Sequence, residues 1–275
     1  MAEFTTSDGL KIYYEDAGEG LPILCLPGLT RTTSDFDDVT PHLAGNRLIK
    51  MDYRGRGQSE FDPNWQNYNL QIEGRDVMEL LAHLGLAKVA ILGTSRGGLI
   101  GMGLSAVAKD HLLGVALNDV GPELDPKGLE FIMVYLGRNP ASKTHAEAAA
   151  ALAHLFAADF TDVPAERWLR EAQKNYVETA DGLQITYDPK LRDAVELAAS
   201  QPFPDLWPFF DAMAGLPIAC IRGANSGLFS QETLEKMQSR RPDMVTGVVP
   251  GRGHVPFLDE PEAVKALQAW VELMK

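Results

Sequence analysis

The chain has 275 residues, 45% hydrophobic and 23% charged, with a formal net charge of −13 and a pI near 4.9. That length provides one large domain, or one domain with an insertion, and a core that needs neither disulfides nor metals to hold it. The acidic balance, with no basic cluster longer than Arg240-Arg241, argues against nucleic acid or an anionic membrane as a partner, because phosphate binding needs clustered Lys and Arg.

The N-terminal stretch MAEFTTSDGLKIYYEDAG has no basic segment leading into an apolar one, so no signal peptide is expected. No apolar run approaches the length of a membrane span, and a cytoplasmic location is expected. KIYYEDAG (11–18) and PILCLPG (22–28) read as strands that end at glycine. RLIKMDYRGRG (47–57) reads as a strand running into a Gly-rich loop. Residues 68–86 carry Leu70, Val77, Leu80, Leu81 and Leu84 at helical spacing. KVAILGTS (88–95) is a continuous apolar run, which suits a strand buried on both faces of a parallel sheet. RGGLIGMGLSAVAKD (96–110) is a helix of small residues able to pack closely on that sheet. LLGVALND (112–119) is another buried strand.

The pattern changes near Pro122. From about 122 to 212 no convincing strand is visible, and the stretch is rich in Ala, as in HAEAAAALAHLFAADF. Leu152, Leu155 and Phe156 supply that run with an apolar face, so a packed helix is expected. In DVPAERW, Asp162 fits an N-cap region, with Pro164 in the first helical turn. GLPIACIRG and DMVTGVVPG then resume as strands, and EPEAVKALQAWVELMK closes the chain as an amphipathic helix. Cys25 and Cys220 both fall inside apolar strands and are expected as buried thiols. Strand–helix alternation interrupted by a helical insert predicts an α/β fold: a mostly parallel, doubly wound sheet with a helical cap inserted after the sixth strand. Residues 1–121 and 213–275 would form the core, and 122–212 the cap.

The strongest local feature is ILGTSRGG. Gly93-Thr94-Ser95-Arg96-Gly97 has the G-x-S-x-G pattern between a predicted strand and a predicted helix, the context a nucleophile elbow requires. Ser95 must sit on a tight turn to project its hydroxyl above the sheet. Glycines at 93 and 97 remove side chains that would collide there. The Arg96 N–H then points at a developing oxyanion. A serine needs a general base, usually histidine. His83, His111, His145 and His154 lie in or beside helical segments, and His42 lies near the N-terminus. His254, in VVPGRGHVPFLDEPE, follows the last apolar strand, where ligand sites gather in such sheets. It is the candidate base. A second oxyanion donor is expected in LPGLTRTTSDF, at Leu29.

On these pieces the chain resembles the α/β-hydrolase superfamily, in its cap-bearing branch of small enzymes. The matching segments are LPGLTRTTSDF, MDYRGRGQS, GTSRGG, RGANSGLFS and GRGHVPFLDEPE, in family order from residue 22 to 262. The resemblance implies a nucleophile at Ser95, a base at His254, and oxyanion donors at the Leu29 and Arg96 backbones. Pro27 stands where the family often has His, a tolerable departure beside a backbone donor. The third member of the triad is the serious departure. The resemblance places an Asp at the end of an R-G-x-N-S-D segment, and this chain reads Arg222-Gly223-Ala224-Asn225-Ser226-Gly227. Asp119, at the end of the sixth strand, is the candidate substitute. A Ser–His dyad with an impaired site, or a neutral orienter at Ser226 or Asn225, are the alternatives.

The resulting expectation is a serine hydrolase of small, mostly apolar carboxylic esters or lactones, with Ser95, His254 and Asp119 catalytic. Phe131, Tyr135, Trp168, Trp207 and Phe210 are candidate pocket residues. A carbon–carbon hydrolase of ring-cleavage products is the first alternative, and an impaired ligand-binding homologue the second. Ser95 at the elbow argues against epoxide hydrolase or dehalogenase chemistry, which needs a carboxylate nucleophile. No cofactor or metal is expected. The partner expected is a small-molecule substrate, with a homodimer left open.

Overall fold

The computed structural model describes residues 2–275. In chain order the first half holds β1 (Ala2–Thr5), β2 (Lys11–Ala17), β3 (Leu21–Leu26), β4 (Asn46–Met51), α1 (Leu70–His83), β5 (Val89–Thr94), α2 (Arg96–Val107) and β6 (Leu112–Asn118). An inserted segment follows with α3 (Pro126–Tyr135), α4 (His145–Leu155), α5 (Ala165–Asn175), β7 (Tyr176–Thr179), β8 (Gly182–Ile185), α6 (Leu191–Ala199) and α7 (Trp207–Asp211). The chain ends with β9 (Ile218–Gly223), α8 (Gln231–Arg240), β10 (Val245–Val249) and α9 (Pro261–Glu272).

The main sheet has the order β1-β2-β4-β3-β5-β6-β9-β10. The first two strands pair antiparallel, and the pairs from β3 and β4 to β9 and β10 are parallel. The β5 run is apolar throughout because both of its faces are covered. Val89 and Ile91 point into the layer packed by α1, α2 and α8. Ala90 and Leu92, one residue out of phase, point into the layer packed by α9. α2 lies close on the sheet, since a Cβ on Gly101 would come 3.1 Å from Val115 Cγ1. Cys25 and Cys220 are fully buried in β3 and β9, and burial pushes the Cys25 thiol up to about 12.

Two local expectations are corrected, and one short strand adds to those read from the sequence. β1 pairs with β2 although AEFT is too short to show an alternation of its own. The inserted segment is not wholly helical: β7 and β8 form an antiparallel hairpin, Tyr176 opposite Ile185. Its signal was present in Asp181-Gly182, with Gly182 at φ 115°. α5 begins at Ala165, with Pro164 at its N-cap position. Asp162 lies outside it, at φ 53°.

Ties at several places hold the inserted segment on the core. Arg167 of α5 donates to Asp38 at 2.6 Å and pairs with Asp259, and Lys174 donates to Asp38 at 2.6 Å. On another side Gly57 N donates to Thr186 O at 2.7 Å, Asp188 N to Gly55 O at 2.8 Å, and Tyr68 Oη to Asp188 at 2.7 Å. These give the Gly-rich MDYRGRGQS loop a role: it is where the core's backbone meets the segment that follows β8.

Candidate active site

Ser95 sits between β5 and α2 at φ 48°, ψ −107°. A non-glycine residue holds that conformation only where its surroundings enforce it. Here the enforcement is close packing. A Cβ on Gly93 would fall 2.4 Å from the Gly97 carbonyl carbon, and one on Gly97 would fall 2.1 Å from Leu26 O. The Ser95 N–H donates to Asn118 O at 2.9 Å, which ties the turn to the end of β6.

His254 follows β10. Its Nε2 lies 3.0 Å from Ser95 Oγ, and its Nδ1 lies 2.7 Å from Asp119 Oδ2. An ionised carboxylate only accepts, so Nδ1 carries the proton, and in the neutral ring Nε2 is left as an acceptor facing the serine hydroxyl. Three of the other five histidines are occupied elsewhere. His83 stacks on Phe4 and meets Tyr14 Oη at 3.2 Å. His111 Nδ1 is 3.0 Å from Ala87 O, and His145 Nε2 is 3.0 Å from Tyr176 O.

Asp119 is fully buried, directly after β6, at φ 55°. β6 lies between β5 and β9, so Asp119 emerges between the strand bearing Ser95 and the strand followed by Gly227. A buried carboxylate without donors would be expelled or protonated. Asp119 has three. Gly223 N donates to Oδ1 at 2.8 Å, while Ser226 Oγ, at 2.6 Å, and His254 donate to Oδ2. Ser226 Oγ in turn accepts from Phe229 N at 3.1 Å. Ser226 therefore bonds the carboxylate, not the imidazole, and Asn225 turns away to donate to Asp159 O at 3.0 Å. A Cβ on Gly227 would meet nothing within 4 Å. The sequence offered no sign that Gly223 and Ser226 would hold the acid.

The Leu29 N–H has no acceptor among the described residues, and Leu29 lines the cavity beside Ser95. Arg96 is the first residue of α2, where the helix supplies its own N–H with no acceptor. A buried charge cluster lies behind both. Arg56 Nε donates to Leu29 O at 3.1 Å, and the fully buried Glu73 sits 2.9 Å from Arg56 Nη1 and 2.5 Å from Arg96 Nε. Tyr53 Oη donates to Pro27 O at 3.2 Å. These contacts fix the loop after β3 from below.

Ser95 and His254 open onto a cavity of about 370 Å³ between sheet edge and inserted segment. Its wall is largely apolar, with Ile132, Leu152, Phe156, Phe160 and Trp168 facing Phe257. Of the expected pocket residues, Tyr135 and Trp168 line it. Phe131 stands behind, its ring 5.9 Å from that of Phe156. Trp207 and Phe210 do not reach it: α7 packs on α2, Phe210 is fully buried in the core, and Trp207 donates to Glu123 at 2.9 Å. The chain has by then returned to the sheet, ahead of β9. Among the described residues no three His, Cys, Asp or Glu side chains are grouped to hold a metal ion, and no helix is long and apolar enough to cross a membrane.

Residues 22–261 match a family model described as the alpha/beta hydrolase fold. Over 251 residues the chain is 37% identical to a 3-hydroxybutyrate-oligomer hydrolase of Cupriavidus necator, covering 88% of this chain and 85% of that one. It is 25% identical to a 2-(acetamidomethylene)succinate hydrolase of Mesorhizobium japonicum over 94% of this chain and 90% of the other. The crystal structure of an alpha/beta hydrolase from Novosphingobium aromaticivorans superposes with a TM-score of 0.93 at 36% identity, covering 98% of this chain and 97% of that one.

Proposed function

The chain belongs to the α/β-hydrolase fold family, and on that premise we propose that it is a serine hydrolase of small, mostly apolar carboxylic esters or lactones. One observation carries the reading: the unbroken series Asp119–His254–Ser95, at 2.7 and 3.0 Å, whose serine end opens onto the cavity. In the proposed reaction His254 Nε2 takes the proton of Ser95 as Oγ attacks the carbonyl carbon. The Leu29 and Arg96 amides receive the oxyanion. As the tetrahedral intermediate collapses, its bond to the alcohol oxygen breaks and His254 returns the proton to that oxygen. Water then enters by the same route and frees the acid from Ser95. Asp119 holds the ring in the Nδ1–H tautomer and stabilises the imidazolium formed in each half. The inserted segment acts as a cap that excludes bulk water from the carbonyl.

The similarity to a 3-hydroxybutyrate-oligomer hydrolase supports an ester bond as the target, because hydroxy acids join into oligomers through esters. Gly227 is the one feature that suggests an impaired, ligand-binding protein, and the Asp119 carboxylate beside His254 Nδ1 supports the hydrolase reading over it. The test is turnover of p-nitrophenyl butyrate with labelling by a fluorophosphonate, in the wild type and in Ser95→Ala. The reading requires turnover and labelling in the first and neither in the second. Full activity in Ser95→Ala contradicts it.

A further inference from the structure

Most of the cavity wall is apolar, but one stretch beside the loop after β3 carries hydrogen-bond donors with no acceptor among the described residues. Tyr135, at the end of α3, and Tyr176, at the start of β7, both line the cavity, and neither hydroxyl has a hydrogen-bond partner among the described residues. Burial pushes the Tyr135 hydroxyl up to about 12 and raises that of Tyr176, so both keep their protons at neutral pH. Asn175 lines the same stretch. Its Oδ1 accepts from Arg31 Nη1, which leaves the Nδ2 hydrogens unbonded.

Arg31 itself is spoken for. Its Nε donates to both oxygens of Asp35, at 2.9 and 2.8 Å, and its Nη2 to Glu171 at 2.6 Å. Burial alone would push this guanidinium down, and the Asp35 and Glu171 carboxylates more than reverse that. Those two carboxylates also offset its charge. Around Arg31 the wall therefore presents unspent N–H and O–H donors beside a guanidinium whose charge is already offset, which suits an oxygen acceptor, while Arg138, farther along the same wall, has no carboxylate partner among the described residues. A hydrocarbon chain laid against it would strip water from these donors and return no acceptor. Arg31 lies two residues beyond Leu29, which puts the wall beside the proposed oxyanion position.

We propose that Tyr135, Asn175 and Tyr176 read an oxygen on the substrate chain close to the scissile carbonyl, so that the preferred substrates are oxygenated esters rather than plain alkyl esters. That oxygen is either a hydroxyl on the acyl chain or the carbonyl of the next unit of an oligoester. The inference rests on the ester-hydrolase reading.

The experiment follows ethanol release from ethyl butyrate, ethyl 3-hydroxybutyrate and ethyl 3-acetoxybutyrate. Each kcat/KM is divided by that ester's hydroxide-catalysed rate, which removes the inductive effect of the substituent. The wild type favours at least one oxygenated ester over ethyl butyrate by about tenfold or more. Tyr135→Phe and Tyr176→Phe each lower that ratio about fivefold, the worth of one neutral hydrogen bond, and the double variant brings it to within about threefold of unity. The hydroxy ester leading identifies a hydroxyl as the oxygen read, and the acetoxy ester leading identifies a carbonyl. The ratio is the readout because a merely structural role lowers all three rates together. A wild-type ratio near one, or a ratio that survives the double variant, overturns the proposal while ester turnover keeps the hydrolase reading. No ethanol from any ester overturns both.

Discussion

The ends of β6 and β9 are neighbours at one edge of the sheet and do opposite things. β6 runs into Asn118-Asp119 and delivers a buried carboxylate at φ 55°. β9 runs into Gly223-Ala224-Asn225-Ser226-Gly227, which has no carboxylate but supplies two of the three donors that Asp119 accepts. The charge of the proposed orienting acid and the donors that solvate it are thus divided between adjacent strands. Strand spacing is about 4.8 Å, so shifting the acid by one strand is within reach of a side chain and a small loop movement. At Asp119 the backbone turns through the left-handed region at the end of β6. The Asp119 N–H donates to Ile221 O at 2.7 Å, which locks the β6 end onto β9.

This division can be broken at either end. The largest effect lies outside both, at the residue they serve: Ser95→Ala is expected to lower kcat by on the order of 10⁶-fold, measured on a reactive aryl ester. Next comes an exchange of the two ends. Asp119→Asn combined with Gly227→Asp should run at least about tenfold faster than Asp119→Asn alone, since there is open space for a Cβ at position 227 and the spacing to His254 is bridgeable. No recovery would show that only β6 can present the acid. Ser226→Ala removes one donor and keeps the charge, so kcat should fall about tenfold with KM little changed, together with a loss of about 1.5–3 kcal/mol in denaturant unfolding, as for a hydrogen bond to a charged group. An unchanged kcat would make Ser226 a spectator. Smallest is Gly227→Asp alone, expected within about threefold of wild type, because His254 Nδ1 is already occupied.

The same contrast separates what was legible in the sequence from what was not. Ser95 was legible because steric demand at a strand–helix turn writes glycine at 93 and 97, and the close approaches found there are that demand. The central strands β3, β5, β6 and β9 were legible because burial on both faces leaves an unbroken apolar run. Asp119 was legible only as a substitute, by knowing that β6 must lie beside β9. Gly223 and Ser226 were not legible, since a backbone N–H and a serine have no local pattern that marks them as donors to a carboxylate 104 and 107 residues away in the chain. The β7–β8 hairpin was overlooked because it lies amid helices and pairs only with itself in a two-stranded sheet. Trp207 and Phe210 look like pocket aromatics by composition, and only the return of the chain onto α2 assigns them to the core.

The most direct test of the central claim is kcat for Asp119→Asn on one reactive ester, with active sites counted by fluorophosphonate titration. If Asp119 is the acid of the proposed triad, kcat falls by about 10⁴-fold, the loss seen when a serine protease's orienting aspartate becomes its amide. A kcat within tenfold of wild type would contradict the account and leave His254 oriented by something other than the carboxylate at the end of β6.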